Sequence, residues 1–190
     1  MQHASPKQSE QIWKNADCLY NESEVELALD TLAIEITSKL KDKNPLLLCT
    51  MIGGIVTAGK LIGRLSFPLE IDYIHATRYR GETQGAELDW ICHPTTPLAD
   101  RVILIVDDIF DQGLTLEALV NDCEQRSASE VYTAVLAEKK CAKQSDLKVD
   151  FIGLQVEDRY VFGYGMDYKG YLRNAAGIYA VADDKENNKS

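Results

Sequence analysis

Asp107 and Asp108 stand side by side after the aliphatic run Val102 to Val106, and Asp111 follows three residues on. Adjacent carboxylates accept hydrogen bonds from sugar hydroxyls, or hold a hard cation such as magnesium through oxygen. The next residues, Asp111-Gln112-Gly113-Leu114-Thr115, read as a tight loop that opens a helix. Gly113 tolerates the turn, the backbone N–H groups of the loop face a phosphate, and the Thr115 hydroxyl adds a donor. The pattern suits the handling of a phosphorylated sugar. The competing reading is a helix cap beside solvated acids. Two other phosphate loops are excluded, because neither GxxxxGK[ST] nor GxGxxG occurs in the chain.

These residues need a scaffold. The unbroken apolar character of Val102–Val106 predicts a strand covered on both faces of a parallel sheet. Asp107 and Asp108 are then expected beyond its carboxyl end, where open α/β sheets bind ligands. Leu114–Cys123 is the helix that follows the loop. Upstream, Val25, Leu27, Leu29, Leu32, Ala33, Ile36 and Leu40 recur at helical spacing, so a helix runs from Glu22 to Leu40, capped by Asn21 or Ser23. Leu46–Thr50 reads as a buried strand and Ile55–Leu65 as a helix. Leu69–Tyr73, Val131–Ala137 and Phe151–Leu154 are further strands, and Asp89–Cys92 is the returning arm of a long hairpin. Tyr79–Gly85 has the composition of a mobile loop. Residues 1–14 are expected to be a flexible N-terminus, with 1–9 frayed, and the tail from Asp183 to be disordered. Strands alternating with helices predict one α/β domain, residues 15–182, with a mainly parallel sheet.

Composition narrows the function classes. The 190 residues carry a net charge of −10, which argues against a general nucleic-acid binder. An acidic chain that handles phosphate must use backbone N–H groups or a metal cation. No apolar run approaches the roughly 20 residues of a membrane span. The first residues lack the apolar stretch of a signal peptide. Five scattered cysteines without a CxxC pair suit a reducing, cytoplasmic setting and no zinc cage.

The string VILIVDDIFDQGLT resembles the phosphoribosyl-pyrophosphate (PRPP) signature of the type I phosphoribosyltransferases at every position. Val149–Asn174 is similar to the purine-binding segment of the hypoxanthine-guanine phosphoribosyltransferases. It carries Tyr160-Val161, Gly163-Tyr164, Asp167-Tyr168, Tyr171 and Arg173 in the order of that family. Lys139 and the glycine pair of Thr50-Met51-Ile52-Gly53-Gly54 also match. In that family a non-proline cis peptide precedes the glycine pair. Ile52 stands where the family usually has lysine. Tyr79 matches the residue that opens the family's mobile loop, and Arg78 stands where it has serine.

The resemblance implies an α/β type I phosphoribosyltransferase fold, with a small hood lobe drawn from the N-terminal region and about residues 150–182. It implies transfer of the phosphoribosyl group from PRPP to hypoxanthine or guanine. Asp107, Asp108, Asp111, Gln112, Gly113, Leu114 and Thr115 would bind the ribose and its 5′-phosphate. Asp111 would take the purine proton. Lys139, Tyr160 and Val161 would bind the purine, although Lys140 competes with Lys139. Ile52, Gly53, Gly54 and Arg173 would meet pyrophosphate, and Arg78, Tyr79 and Arg80 would belong to the mobile loop. Asp107, Asp108 and Asp167 would hold Mg2+. A homodimer or homotetramer follows from the same resemblance, with no nucleic acid or membrane partner. The alternatives are a xanthine-preferring enzyme and a PRPP-sensing regulator.

Overall fold

The computed structural model describes residues 4–78 and 88–182. The expectations for the Tyr79–Gly85 loop, including Tyr79 and Arg80, and for the tail from Asp183 lie outside the described residues. The elements are α1 (Pro6–Asn15), β1 (Asp17–Asn21), α2 (Glu22–Leu40), β2 (Leu46–Thr50), α3 (Ile55–Ile62), β3 (Glu70–Arg78) and β4 (Leu88–Cys92). They continue with β5 (Val102–Phe110), α4 (Leu114–Gln125), β6 (Glu130–Lys139), β7 (Phe151–Val156), β8 (Val161–Phe162) and β9 (Gly177–Ala180). A six-stranded sheet runs in the order β4-β3-β2-β5-β6-β7, and all its pairings are parallel except β3 with β4.

The apolar run of β5 is explained by its two covers. Leu104 and Val106 join the core that α2 and α3 close, while Ile103 and Ile105 join the one that α4 closes. Alternate side chains point to opposite faces, so a strand buried on both must be apolar throughout. β5 is longer than expected. It stays paired with β6 through Asp107, Ile109 and Phe110, whereas β2 leaves it at Val106. Asp107 and Asp108 therefore lie inside the strand, not beyond its end. They lie past the last β2–β5 pair, Cys49 with Val106, beside the end of β2 and the glycine pair that follows it.

A second, antiparallel sheet, β1-β9-β8, forms the hood. Two expectations are corrected here. Phe151–Val156 does not belong to the hood but extends the main sheet beside β6. Residues 6–15 are helical rather than flexible. Ser5 caps α1 in a reciprocal pair with Gln8, and Ile12 and Trp13 pack on the hood cluster of Phe162, Leu172 and Ala175. In α2, Asn21 is the cap and pairs reciprocally with Glu24. Leu27, expected on the apolar stripe, is exposed, because Val25, Ala28, Leu29 and Leu32 already fill the arc facing the core.

Hood and core meet at Glu26. Its carboxylate accepts from Lys60 Nζ at 2.6 Å, from Arg64 at 2.5 Å and from the Tyr164 hydroxyl at 2.6 Å. The Lys60 and Tyr164 hydrogen bonds hold the Glu26 carboxyl down, from an ordinary 4.5 to about 2. Burial and the Glu26 bond raise the Tyr164 phenol. A carboxyl held low in the folded state stabilises fully above its unfolded value and loses that contribution as pH falls through the folded one. Stability to urea should therefore drop as pH falls from 4.5 toward 2. Glu26→Gln should be less stable at neutral pH and flatten that drop. An unchanged acid slope in the variant would remove Glu26 as its source.

Candidate active site

The carboxyl ends of β2, β5 and β6 open into a cavity of about 670 Å3, roofed by the hood. Its floor holds Asp107, Asp108 and Asp111 from β5 and its loop, with Thr115 from the first turn of α4. One wall is Ile52 and Gly53, and the opposite wall is Lys139 with Tyr160 and Val161. Asp167 and Arg173 reach in from the hood. Four segments far apart in sequence thus line one space. Gly54, Gln112, Gly113 and Leu114, also expected at the site, are not among the lining residues; Gly54 caps α3, Gln112 and Gly113 form the turn after β5, and Leu114 opens α4.

Asp107 and Asp108 are held differently. The Asp107 Oδ1 accepts from the Thr50 hydroxyl and, at 2.9 Å, from the backbone N–H of Asp108. Asp108 is only 8% exposed and packs on Gly53. Burial pushes both carboxyls up. For Asp108 the neighbouring Asp107 charge adds to the rise, while Thr50 and the Arg173 charge restrain Asp107. Arg173 donates to the Gly165 carbonyl at 2.6 Å and pairs with Asp167 at 2.7 Å.

The loop after β5 fits an anion. Gly113 caps α4 with φ +93°, in the left-handed region. The first N–H groups of α4 have no partner within the helix and point outward at its positive end. On the other wall, Lys139 Nζ lies 3.1 Å from Asp111 Oδ2 and 3.8 Å from Asp158. Tyr160 is 49% exposed and meets Tyr168 edge-on at 5.3 Å, which leaves it able to stack on a flat ligand. Val161 is buried and pairs with Ala180 in the hood sheet.

This arrangement matches known proteins. The phosphoribosyl transferase domain model matches residues 15–169. The hypoxanthine-guanine-xanthine phosphoribosyltransferase of Tritrichomonas foetus is 34% identical over 157 residues, covering 82% of this chain and 86% of that protein. The hypoxanthine-guanine phosphoribosyltransferase of Bacillus subtilis (strain 168) is also 34% identical over 157 residues, with 82% and 87% covered. A solved hypoxanthine-guanine-xanthine phosphoribosyltransferase superposes with a TM-score of 0.81 at 30% identity, covering 90% of this chain and 99% of that one.

This chain belongs to the phosphoribosyltransferase family. Its relatives put it with the hypoxanthine-guanine phosphoribosyltransferases, and its fold is theirs. The phosphoribosyltransferase cavity also contains residues that sequence reading missed. The Thr50 hydroxyl clamps Asp107, and His75 and Thr77 of β3 line the rim. Lys143, outside every motif, braces the Asp111 loop from behind. The strand expected over Leu69–Tyr73 stopped short of His75 and Thr77, which lie in β3 because it runs on to Arg78, and nothing local marked Lys143. At the glycine pair, the peptide between Met51 and Ile52 is cis. Ile52 is 53% exposed and offers no charge there. Arg78 ends β3, at the edge of the described residues.

Proposed function

We propose that this phosphoribosyltransferase transfers the 5-phosphoribosyl group from PRPP to hypoxanthine or guanine, giving the nucleoside 5′-monophosphate and pyrophosphate. The observation that carries it is the single cavity shared by a sugar-phosphate floor and a purine wall, with Asp111 touching both. The purine N9 forms a bond to ribose C1 as the C1–oxygen bond to pyrophosphate breaks. Asp107 and Asp108 hold the ribose hydroxyls. The Gln112–Thr115 N–H groups bind the 5′-phosphate. Tyr160 stacks on the base, the backbone at Val161 meets its edge, and Lys139 donates to the 6-oxygen. Asp111 takes the purine proton at N7. Gly53 and Gly54 offer backbone donors to pyrophosphate, and Arg173 adds the charge that Ile52 lacks.

Magnesium fits the donor set. Asp108 is a buried and Asp107 a partly buried oxygen donor, the nearby positive charge is that of Arg173, and Asp167 lies on the same cavity. Hard carboxylate oxygens suit Mg2+. Bound there, the ion would offset charge on the departing pyrophosphate.

We place the enzyme in the cytoplasm as a homo-oligomer. Its cysteines are free thiols, and among the described residues no helix is long and apolar enough to cross a membrane. Ile71 and Tyr73 on β3 and Ile91 on β4 are exposed apolar side chains suited to a second copy. Light scattering at one monomer mass would overturn the oligomer.

The test is an assay of the purified protein with PRPP and magnesium against hypoxanthine, guanine, xanthine, adenine and uracil. Nucleotide should form with hypoxanthine and guanine. The Tritrichomonas foetus relative, whose name includes xanthine, makes xanthine the second reading. No product with any base would sink the enzyme and favour a PRPP sensor.

A further inference from the structure

We propose that Lys143 is a positioning residue that sets Asp111 against Lys139, and so the proton acceptor against the donor to the 6-oxygen. The inference rests on the function proposed above. The ladder between β5 and β6 ends at Phe110 and Glu138. Asp111 is the first residue after β5, while Lys139 ends β6 and is still paired with Val156 of β7, so the two groups that meet the base begin where the β5–β6 ladder stops and nothing in the sheet ties Asp111 to Lys139.

Lys143 takes over at that point. Its Nζ donates to the carbonyl of Lys139 at 2.6 Å, of Asp111 at 2.9 Å and of Phe110 at 3.3 Å. An ammonium has three N–H donors, and all three are used. The same charge lies 4.6 Å from the centre of the Phe110 ring and 3.7 Å from Glu138, the last ladder pair. The flanking residues follow the same course. Gln144 N–H donates to the Gln112 carbonyl at 3.0 Å, and the Cys141 thiol lies 3.3 Å from Asp111 Oδ1. Lys143 grips main-chain oxygens behind the two functional side chains. It acts through them and does not touch the base.

The separation of Asp111 from Lys139 matters because purine N7 and the 6-oxygen are fixed on one rigid ring. A misplacement of about 1 Å at such a site can cost on the order of 100-fold in rate. Lys143→Met keeps the apolar stem over Phe110 and removes every donor.

The experiment compares wild type, Lys143→Met and Lys143→Arg by residue-resolved hydrogen exchange and by steady-state kinetics. Gln144 and Glu117 amides report on the loop, since they bond the carbonyls of Gln112 and Gly113. In Lys143→Met both should exchange about tenfold faster or more, with the Val102–Val106 amides unchanged. The kcat with hypoxanthine should fall about 10- to 100-fold while KM for PRPP stays within about threefold. Lys143→Arg should recover most of both. Unchanged exchange at Gln144 and Glu117 would overturn the proposal, as would exchange rising throughout the sheet. A wild type without activity would sink the function alone, because the exchange result still decides the role of Lys143.

Discussion

Asp111→Asn should lower kcat for nucleotide formation by about 10²–10⁴-fold, the range of a lost general base. The substitution keeps the shape and hydrogen-bonding size of the side chain, so the loss isolates the proton acceptor. Asp111 is half-exposed, and its side chain bonds Lys139 and Cys141 without supporting the core. Lys139 retains Asp158, 3.8 Å away, as a counter-charge. Melting temperature should therefore stay close to wild type. KM for PRPP should change little, because Asp107, Asp108 and the N–H groups of the loop are untouched. Steady-state kinetics with hypoxanthine and guanine measure this. A kcat within threefold of wild type would assign the proton to another group.

Gly165→Ala should cost nearly as much in activity and more in stability. Gly165 has φ +108°, and a Cβ there would lie 2.1 Å from the Gly53 carbonyl oxygen. That neighbour is backbone and has no rotamer to change. It is also the loop proposed to meet pyrophosphate, and Asp108 packs beside both glycines. Gly165 further exchanges bonds with Arg173, its N–H donating to the Arg173 carbonyl at 3.0 Å and its carbonyl accepting from the guanidinium. Forcing the turn outward would carry Arg173 and Asp167 away from the cavity. Overpacking with a strained φ predicts a loss of about 2–4 kcal/mol in chemical denaturation. A fall in kcat/KM of about 100-fold should accompany it. Gly59→Ala is the control. It lies inside α3 with open space around it and should be neutral or stabilising by about 0.5–1 kcal/mol. Wild-type kinetics in Gly165→Ala would show that the hood turn does not set the site.

The parts of the site that were legible share a property: each is coded within about ten residues. Val102–Val106 is apolar throughout because both its faces are covered, and that requirement is visible without knowing what covers them. Gly113 marks the turn, and the capping residues of α2 mark its start. Residues that meet across the fold left no such trace. Leu27 fits a helical stripe on paper, yet the arc that faces the core is already full. The Ser5 cap was readable in principle, but the helix after it is held by Trp13 against Tyr179 of the hood, a contact no local pattern records.

By itself, then, the amino-acid sequence determined the strand, the glycine turn after it, the helix behind it and the family that carries them. Periodicity and turn chemistry are local, and local chemistry is written in order along the chain. Tertiary structure alone decided that Asp107 and Asp108 lie within β5 but past its last pair with β2, that Thr50 clamps one of them, and that the Gly53 carbonyl abuts Gly165. It also set Lys143 at the end of the β5–β6 ladder. Those facts depend on sheet order, strand length and register, which arise from the packing of distant segments and not from any one of them.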